Sequence, residues 1–291
     1  MRQSRLVAQM IGARRSDVAI ELVSMTTRGD LRAGPLAEAG GKGLFTRELE
    51  SALRSGKVHL AVHSAKDMPA VLADEFVVAA VRQRGDPRDA LVSRAGGLDA
   101  LPSGAAVGTG SLRRRAQLLA LRDDLEVVAV RGNVETRIDK ALGPGAELHA
   151  VVLAAAGLER SGQAEAYAEH VHLLPLEEFI PAAGQGILAV EALAANAEVM
   201  ELVGPVTGPP AGPALEAERR VLRGLGADCH SCVAVYVTPE GDGWRGRVMV
   251  ARPDGADAIR LTCAADGADE TAAAMLEELL RRGATELLAE S

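Results

Sequence analysis

Three consecutive arginines follow a glycine-rich turn in GTGSLRRR, residues 108–115. A strand pattern ends before this segment and a helical pattern begins within it, so Ser111 is placed to cap the helix and the arginines occupy its first turn. The helix dipole favours anions at that end and opposes cations. Free backbone amides and guanidinium groups together suit a carboxylate or phosphate, which arginine can bind through two hydrogen bonds. The alternative is a solvated basic face paired with Asp123, Asp124 and Glu126.

Further arginines stand at comparable places along the chain. Arg131 directly follows a strand pattern, Arg137 lies one turn into the next helical pattern, and Arg160 follows a third strand pattern. Open α/β sheets bind ligands at the carboxyl ends of their strands, so we expect these side chains to converge on one cleft. Residues 101–140 hold seven basic and five acidic side chains, net +2, whereas residues 264–291 hold two and seven, net −5. This segregation of charge predicts an anionic ligand.

Lys66 and Asp67 are neighbours in VHSAKDMP, residues 62–69, where a strand pattern ends. Pro69 biases Met68 toward an extended conformation, which makes the segment a strand exit. An acid beside a lysine at such an edge can act as general acid or base, or as a counter-charge to a cationic intermediate. A surface ion pair is the alternative, and the two residues taken alone favour it.

The segment GGKGLF, residues 40–45, superficially resembles a phosphate-binding loop. It lacks the G-x-x-x-x-G-K-[ST] spacing of such a loop, so we interpret it as a flexible loop ahead of a helix. Its Lys42 can still reach an anionic substrate.

Cys229 and Cys232 form a C-x-x-C pair within ADCHSC. A structural zinc site needs two more ligands, and Cys263, His230 or distant histidines are the only candidates, so we expect no metal. A redox pair usually opens a helix, whereas this pair follows a helical pattern and precedes a strand pattern. A single thiol available for covalent attachment and an unreactive small hydrophobic residue both stay open.

Composition narrows the classes of function for this chain of 291 residues. The net charge is −8 and only six residues are aromatic, which argues against a general nucleic-acid binder. The longest apolar run, residues 150–158, is far shorter than the roughly 20 residues of a membrane-spanning helix, so no membrane association is expected. The three cysteines are too few and too clustered for a disulfide framework, which predicts a cytoplasmic location.

Strand and helix patterns alternate in the first two thirds of the chain, which predicts α/β layers with largely parallel sheets. The first set comprises strands at 18–25, 58–63 and 76–81, with a helix at 44–54. The second comprises strands at 105–108, 126–130 and 149–156, with helices at 111–122 and 133–142.

The last third follows a different order. A Gly/Pro-rich stretch at 204–213 predicts a linker, and a helix at 214–223 follows it. Strands are predicted at 233–237, 244–251 and 258–263, ahead of a long amphipathic helix. This order predicts a small α+β unit.

Nine segments, taken in order, resemble the porphobilinogen deaminase family, also called hydroxymethylbilane synthases. The resemblance runs over nearly the whole chain. The segments are TTRGD (26–30), GGKGLF, VHSAKDMP, RGDPRDA (84–90), GTGSLRRR, RGNVETR (131–137), LAAAGLER (153–160), PAAGQG (181–186) and a late cysteine on a loop.

The resemblance implies two α/β domains similar to periplasmic binding proteins and a small α+β domain that carries the cofactor. We expect the first domain at residues 1–86 with 187–204, the second at 87–180, and the third at 209–291. The implied activity is deamination and head-to-tail joining of four porphobilinogen molecules into linear hydroxymethylbilane with release of ammonia, in tetrapyrrole biosynthesis. The implied enzyme is a monomer primed by a covalent dipyrromethane cofactor.

The resemblance also implies roles for individual residues. Cys229 matches the thiol that holds the dipyrromethane through a thioether, and Asp67 matches the catalytic aspartate, assisted by Lys66. The implied cofactor-binding residues are Ser111, Arg113, Arg114, Arg131 and Lys42. The implied substrate-binding residues are Arg2, Ser4, Phe45, Arg137, Arg160 and Gln185. Gly184 and Gly186 are implied to give hinge freedom as the product lengthens.

The sequence departs from the family at two places that bear on these roles. Relatives carry a strand before the R-x-S segment, whereas Met1 directly precedes Arg2 here, so we expect a first-domain strand to be missing, either because the start codon is misplaced or because an edge of the sheet is lost. Relatives also carry glycine before the cofactor cysteine and proline three residues after it, where this chain has Asp228 and Cys232. Cys232 is therefore either a competing thiol or a bystander.

A second class of function fits the same residues. A solute-binding or sensor module could hold a dicarboxylate in the same cleft without turnover. A covalent adduct on Cys229 distinguishes the enzyme from such a module.

Overall fold

Three β-sheets organise the chain in the computed structural model, which describes residues 1–25, 46–204, 207–228 and 231–289. The helices are α1 (Arg2–Gly12), α2 (Arg47–Arg54), α3 (Leu112–Leu121), α4 (Val134–Leu142), α5 (Ala155–Ser161), α6 (Gln163–Ala166), α7 (Ala197–Val203), α8 (Ala211–Gly224), α9 (Ala268–Arg281) and α10 (Ala284–Ala289). Short 3-10 helices lie at Ala65–Asp67, Leu98–Ala100 and Ala168–His170.

The first sheet is built from segments far apart in sequence. Strands β1 (Ala61–Ser64) and β2 (Phe76–Val81) flank β8 (Leu188–Leu193), which runs antiparallel to both. Val7 and Ile11 of α1 pack with Val190 of β8 and with Val203 of α7. Because β8 pairs with β1 and β2, this sheet contains both an early and a late segment of the chain.

The second sheet has five strands in the order β5, β4, β6, β3, β7. They span Asp89–Ser93 (β3), Ala106–Gly108 (β4), Glu126–Val128 (β5), Ala150–Ala154 (β6) and Val171–Leu173 (β7). Strand β4 is parallel to both of its neighbours, β5 and β6, while β3 is antiparallel to β6 and β7. Helix α3 follows β4 directly, so its first turn lies at the carboxyl end of a parallel strand.

The C-terminal sheet is an antiparallel meander of β9 (Val233–Glu240), β10 (Gly243–Ala251) and β11 (Ala258–Ala265). Helices α8 and α9 cover one face. Val221 of α8 and Met275 of α9 are fully buried against Val235 and Val248. The order of strands before a helix gives the α+β unit that the sequence predicts.

The α/β class of the first two sheets and the α+β class of the last are confirmed, but their predicted parallel character is wrong in part. The first sheet has only antiparallel pairs among the described strands, and the second is mixed. The reason is that β8 enters the first sheet from a distant part of the chain, where no βαβ crossover imposes a parallel direction.

The predicted strand at residues 18–25 is also wrong, because the structure has no strand there. Ile20 and Val23 of this segment are 39% and 41% exposed. A strand needs a neighbour for its backbone groups, and in the described sheet β1 pairs with β8 alone. The apolar residues of this segment therefore resemble a strand in sequence, but the described sheet offers no neighbouring strand for them to pair with.

The predicted linker is shorter than expected, because α8 begins at Ala211 and not at residue 214. Pro213 lies in its first turn, where a missing backbone N–H costs nothing. The membership of the three sheets supports the predicted domains, whose boundaries stay a prediction. Within the described ranges, none of the helices has the length and apolar character needed to cross a membrane.

Candidate active site

Lys66 and Asp67 lie in the 3-10 turn that follows β1, the strand exit that the sequence predicts. The turn is anchored to the neighbouring strand, since the Ala65 amide donates to the carbonyl of Ile187 at 3.0 Å. Burial lowers the pKa of Lys66 to about 8, with Arg114 acting in the same direction and Asp67 and Asp89 opposing it. Asp67 is exposed. The two side chains form no ion pair with each other in the described structure, so the surface-pair alternative is not supported.

The arginine-rich helix start forms as its pattern predicts. The Ser111 hydroxyl caps α3 by accepting from the Arg114 amide at 3.4 Å. Arg113 and Arg114 are only 4% and 5% exposed, so the alternative of a solvated basic face paired with residues 123–126 is wrong. Their partner comes instead from the start of β3.

Asp89 is that partner, and it is fully buried. Its Oδ1 accepts from Nε and Nη2 of Arg114 at 3.0 and 2.7 Å, and its Oδ2 lies 2.8 Å from Nη1 of Arg113. Burial alone would raise the pKa of Asp89, but Arg113 and Arg114 outweigh it and hold the pKa well below its usual range. One carboxylate therefore serves two guanidinium groups, with the Lys66 ammonium nearby as a third cation. The surplus of positive charge calls for an anionic ligand.

Gln185 contacts this cluster from the segment that runs from β7 of the second sheet back to β8 of the first sheet. Its Nε2 donates to Asp89 Oδ1 at 2.9 Å and to the Pro87 carbonyl at 2.8 Å, while Lys66 Nζ lies 3.5 Å from its Oε1. The flanking glycines have φ values of 72° and 87°, at Gly184 and Gly186. A side chain on either would be strained and would also meet neighbouring backbone or Ala65 at 2.8 to 2.9 Å.

Glu218 of α8 lies where the C-terminal unit contacts the segment that carries Gln185. It is fully buried, and its two oxygens lie 2.8 and 2.6 Å from Nη2 of Arg84. It also accepts from the amides of Gly184 at 2.6 Å and Val237 at 2.8 Å. Arg84 Nε in turn donates to the Gln185 carbonyl at 3.1 Å. Glu218 therefore fixes α8 against the segment that carries Gln185.

Electrostatic interactions connect the remaining arginines with this cluster. Burial and the charge of Arg114 lower the pKa of Arg137, while Asp67 opposes this shift. Burial and Arg82 lower the pKa of Arg160, and Asp67 again opposes the shift. Arg131 adds to the field at Arg137. The three arginines expected to converge thus lie within electrostatic range of Asp67 or of each other.

Arg2 and Ser4 lie on α1, at the edge of this arrangement. Arg2 is exposed, and its Nη1 donates to the Ser161 carbonyl and lies 3.5 Å from that of Arg160. Ser4 is half-buried in the same helix, and its neighbour Gln3 donates to the Ser64 hydroxyl at 3.2 Å.

A cleft opens between these elements. Residues from all three sheet units line it, including Asp228 and Ser231, the nearest described residues before and after Cys229 in the chain. The polar lining residues are Lys66, Ser111, Arg113, Arg219, Asp228 and Ser231. Three predicted site residues, Cys229, Lys42 and Phe45, lie outside the described residues.

Cys232 does not behave as a competing nucleophile in this structure. Its side chain is 1% exposed, and burial raises its pKa to about 11, so the thiolate is scarce near neutral pH. It packs in an apolar cluster with Ala116, Ile180 and Met249. Of the two roles left open for Cys232, the bystander is favoured.

Three residues with contacts in or next to the cleft were not assigned roles from the sequence. Asp89 stands at the start of a strand that is otherwise wholly buried, and that placement is the signal that could have identified it. Glu218 falls at helical spacing on the apolar stripe of α8, with Ala214 and Val221, which marks a buried charge with a specific partner. Arg219 follows it, and no comparable signal distinguishes it from Arg220.

The site can therefore bind a ligand with several carboxylates, and it places one exposed acid among the cations that hold them. The family model described as "Porphobilinogen deaminase, dipyromethane cofactor binding domain" matches residues 1–201.

Curated relatives match along almost the full chain. The porphobilinogen deaminase of Roseiflexus castenholzii is 43% identical over 291 residues, covering 99% of this chain and 94% of the relative. The proteins of the same name from Syntrophotalea carbinolica and Bordetella bronchiseptica are 41% and 42% identical, each covering 99% of this chain and 91% of the relative. A putative L-cystine ABC transporter structure from Listeria monocytogenes gives 12% identity and a TM-score of 0.37, covering 70% of this chain and 78% of that one, and this likeness supports no argument. The ordered segments, the polycarboxylate cleft and these matches agree: the chain belongs to the porphobilinogen deaminase family.

Proposed function

We propose that the chain is a hydroxymethylbilane synthase, which joins four porphobilinogen molecules head to tail and releases one ammonia for each. Porphobilinogen carries an acetate and a propionate, so each added unit brings two carboxylates into the site. The observation that carries the proposal is an excess of positive charge: Lys66 and Arg113 line the cleft, and together with Arg114 they face the buried carboxylate of Asp89.

The residues present fit a covalent dipyrromethane. Asp228 and Ser231, close to Cys229 in the chain, line the same cleft as the cationic side chains. We propose that Cys229 holds the group through a thioether and that its carboxylates bind Ser111, Arg113, Arg114 and Arg131, with Lys42 from outside the described residues. When bound, the dipyrromethane supplies the free pyrrole carbon to which the first substrate unit is joined.

Asp67 is the proposed catalytic carboxylate. As the C–N bond of the substrate breaks, ammonia leaves with the bonding electrons and the pyrrole becomes cationic. An ionised Asp67 stabilises that cation, because a fixed negative charge in a partly enclosed site interacts strongly with developing positive charge. Asp67 would then accept the proton that a pyrrole carbon loses when it forms the new C–C bond in place of the broken C–N bond.

Lys66 is the proposed partner of Asp67. Its pKa of about 8 lets it exchange a proton near neutral pH, and a bound carboxylate would draw it toward the charged form. It lies 3.5 Å from Gln185, which is fully buried and bonded to Asp89 and Pro87. We therefore propose that Gln185 acts on substrate by holding Lys66 and Asp89.

The incoming substrate is proposed to bind where Arg137 and Arg160 surround Asp67. Arg160 supports this role, because its Nε atom is buried without a hydrogen-bond partner in the described structure. Arg2, Ser4 and Phe45 complete the proposed set of substrate-binding residues.

We also propose that the enzyme works as a monomer in the cytoplasm, without nucleic-acid or membrane partners. The acidic net charge and scarce aromatics support the absence of nucleic-acid partners. The three domains are proposed at the boundaries predicted from the sequence.

Incubation of the purified chain with porphobilinogen tests the function. The expected result is one ammonia released per porphobilinogen consumed and a linear tetrapyrrole detected by mass spectrometry. Saturable binding of porphobilinogen without release of ammonia would contradict the enzyme and support a solute-binding module.

A further inference from the structure

Arg219 is a buried cation whose charge is not matched by an ion pair among the described residues. Its side chain belongs to α8 and is 6% exposed, and its Nη1 atom is buried with no hydrogen-bond partner. Burial lowers its pKa, as expected for a guanidinium that has lost water without gaining a carboxylate. Leaving a buried charged donor unpaired costs free energy, so the position calls for a ligand.

The charged residues near Arg219 have partners of their own. Asp228, which lines the cleft with Arg219, accepts from the Ser231 hydroxyl at 3.2 Å. Glu216 and Arg223 of the same helix pair with each other, and Glu191 of β8 holds His63 at 2.9 Å through Oε2. The next residue, Arg220, turns to the surface and pairs with Asp269 of α9. Two adjacent arginines thus have opposite environments, one paired at the surface and one unpaired in the interior.

The cleft described above explains where Arg219 points. Arg219 and Leu222 of α8 line it together with Asp228 and Ser231, which lie on either side of Cys229 in the chain. Lys66 and Ser111 line the same cleft from the other sheet units. Arg219 therefore shares the cleft with the described residues that precede and follow Cys229 in the chain.

Glu218 sets the direction of the Arg219 side chain. Its carboxylate is fixed by Arg84 and by the amides of Gly184 and Val237, so α8 cannot rotate about its axis without breaking those bonds. Residues 218 and 219 are about 100° apart around a helix, given 3.6 residues per turn. With Glu218 anchored, Arg219 is directed into the cleft.

We propose that Arg219 binds a carboxylate of the pyrrole ring attached to Cys229, and so acts as a cofactor-binding residue contributed by the C-terminal unit. This rests on the proposed function. The guanidinium group suits a carboxylate because it can donate two parallel hydrogen bonds.

The test compares Arg219→Met, Arg219→Lys and the control Arg220→Met with the unsubstituted chain. Each is prepared without cofactor and reconstituted with porphobilinogen, while intact-protein mass spectrometry follows the gain of two pyrrole units. We expect Arg219→Met to reconstitute at least about tenfold more slowly. A change of this size corresponds to the loss of one hydrogen bond to a charged group. Arg219→Lys should fall between, and Arg220→Met should match the unsubstituted chain. Reconstitution of Arg219→Met at the unsubstituted rate would overturn the proposal.

Thermal unfolding separates a ligand from a structural residue. Without cofactor, Arg219→Met should unfold at the same or a higher temperature than the unsubstituted chain, because it removes an unpaired buried charge. With cofactor, its gain in Tm should be smaller. A lower Tm of cofactor-free Arg219→Met would show an internal partner and overturn the proposal. If the unsubstituted chain gains no pyrrole units at all, the proposed function itself fails.

Discussion

The Asp89 carboxylate is held by the Arg114 guanidinium, whose Nε and Nη2 lie 3.0 and 2.7 Å from one carboxylate oxygen. This pair joins the start of β3 to the first turn of α3, so it locks the arginine-rich helix onto the second sheet. Because Asp89 also serves Arg113 and Gln185, a single buried acid aligns side chains of α3 and of the segment that carries Gln185. The cleft is thereby preorganised for carboxylates before any ligand arrives.

Asp67→Asn should fold normally and lose turnover. The substitution keeps the shape of an exposed side chain but removes the charge that stabilises the cation and accepts the proton. General acid–base catalysis typically contributes about 10² to 10⁴ in rate, so kcat should fall by at least about a hundredfold. Ammonia release measured at saturating porphobilinogen checks this, with Asp74→Asn, another exposed acid, as the control. Near-normal kcat in Asp67→Asn would contradict the assignment.

Arg113→Leu and Arg131→Leu should impair cofactor assembly or elongation. Both remove a carboxylate-binding cation. Arg113→Leu also removes one of the two guanidinium partners of the fully buried Asp89, so it should lower stability, although Arg114 keeps that carboxylate paired. Arg131 is half-buried, so its substitution should change stability far less. Intact-protein mass spectrometry reports the distribution of bound intermediates, and Arg281→Leu at the surface serves as control. If both variants kept the same distribution of bound intermediates and the same substrate affinity, the proposed role of these arginines in binding carboxylates would be contradicted.

Lys66→Met should change the pH dependence of stability in cofactor-free protein. The folded pKa of about 8 lies below the usual 10.5, so the charged lysine disfavours folding. That cost is fully present below pH 8, shrinks as pH rises from 8 to 10.5, and is absent above, because the unfolded chain then also loses its proton. Lys66→Met should therefore be more stable than the unsubstituted chain near pH 7, and this difference should diminish toward pH 10.5. Urea unfolding across this range measures the free energy of unfolding of both proteins. A stability difference that does not change with pH would contradict the lowered pKa of Lys66.

Glu218→Gln should weaken the attachment of the C-terminal unit. Glu218 is fully buried with Arg84 as its ion-pair partner, and breaking such a pair typically costs about 3 to 5 kcal/mol. Urea unfolding of the whole chain measures the loss. Glu216→Gln, on the same helix but with a side chain 63% exposed, should change stability by less than about 1 kcal/mol. Equal effects of the two substitutions would exclude a special role for Glu218.

Much of the site could be predicted from the sequence because strong local signals mark it. Ser111 caps its helix as expected. Lys66 and Asp67 follow β1 directly, and Met68 before Pro69 is extended, as the strand exit predicts. These features depend on a few neighbouring residues, whose types restrict the backbone directly.

Contacts between distant segments could not be predicted in the same way. Asp89 and Arg114 are 25 residues apart, and nothing in either segment alone specifies their pairing. The antiparallel entry of β8 and the unpaired residues 18–25 likewise depend on which strands become neighbours. Arg219 and Arg220 have the same side chain, and only the anchored rotation of α8 separates the interior residue from the surface one.

The covalent state of the purified chain tests the central claim most directly. Intact-protein mass spectrometry should find two linked pyrrole units on the unsubstituted chain and on Cys232→Ala, whose thiol is buried with a raised pKa. Cys229→Ala should carry none and should form no tetrapyrrole. An unmodified and folded chain, or an adduct that persists in Cys229→Ala and disappears in Cys232→Ala, would contradict the account.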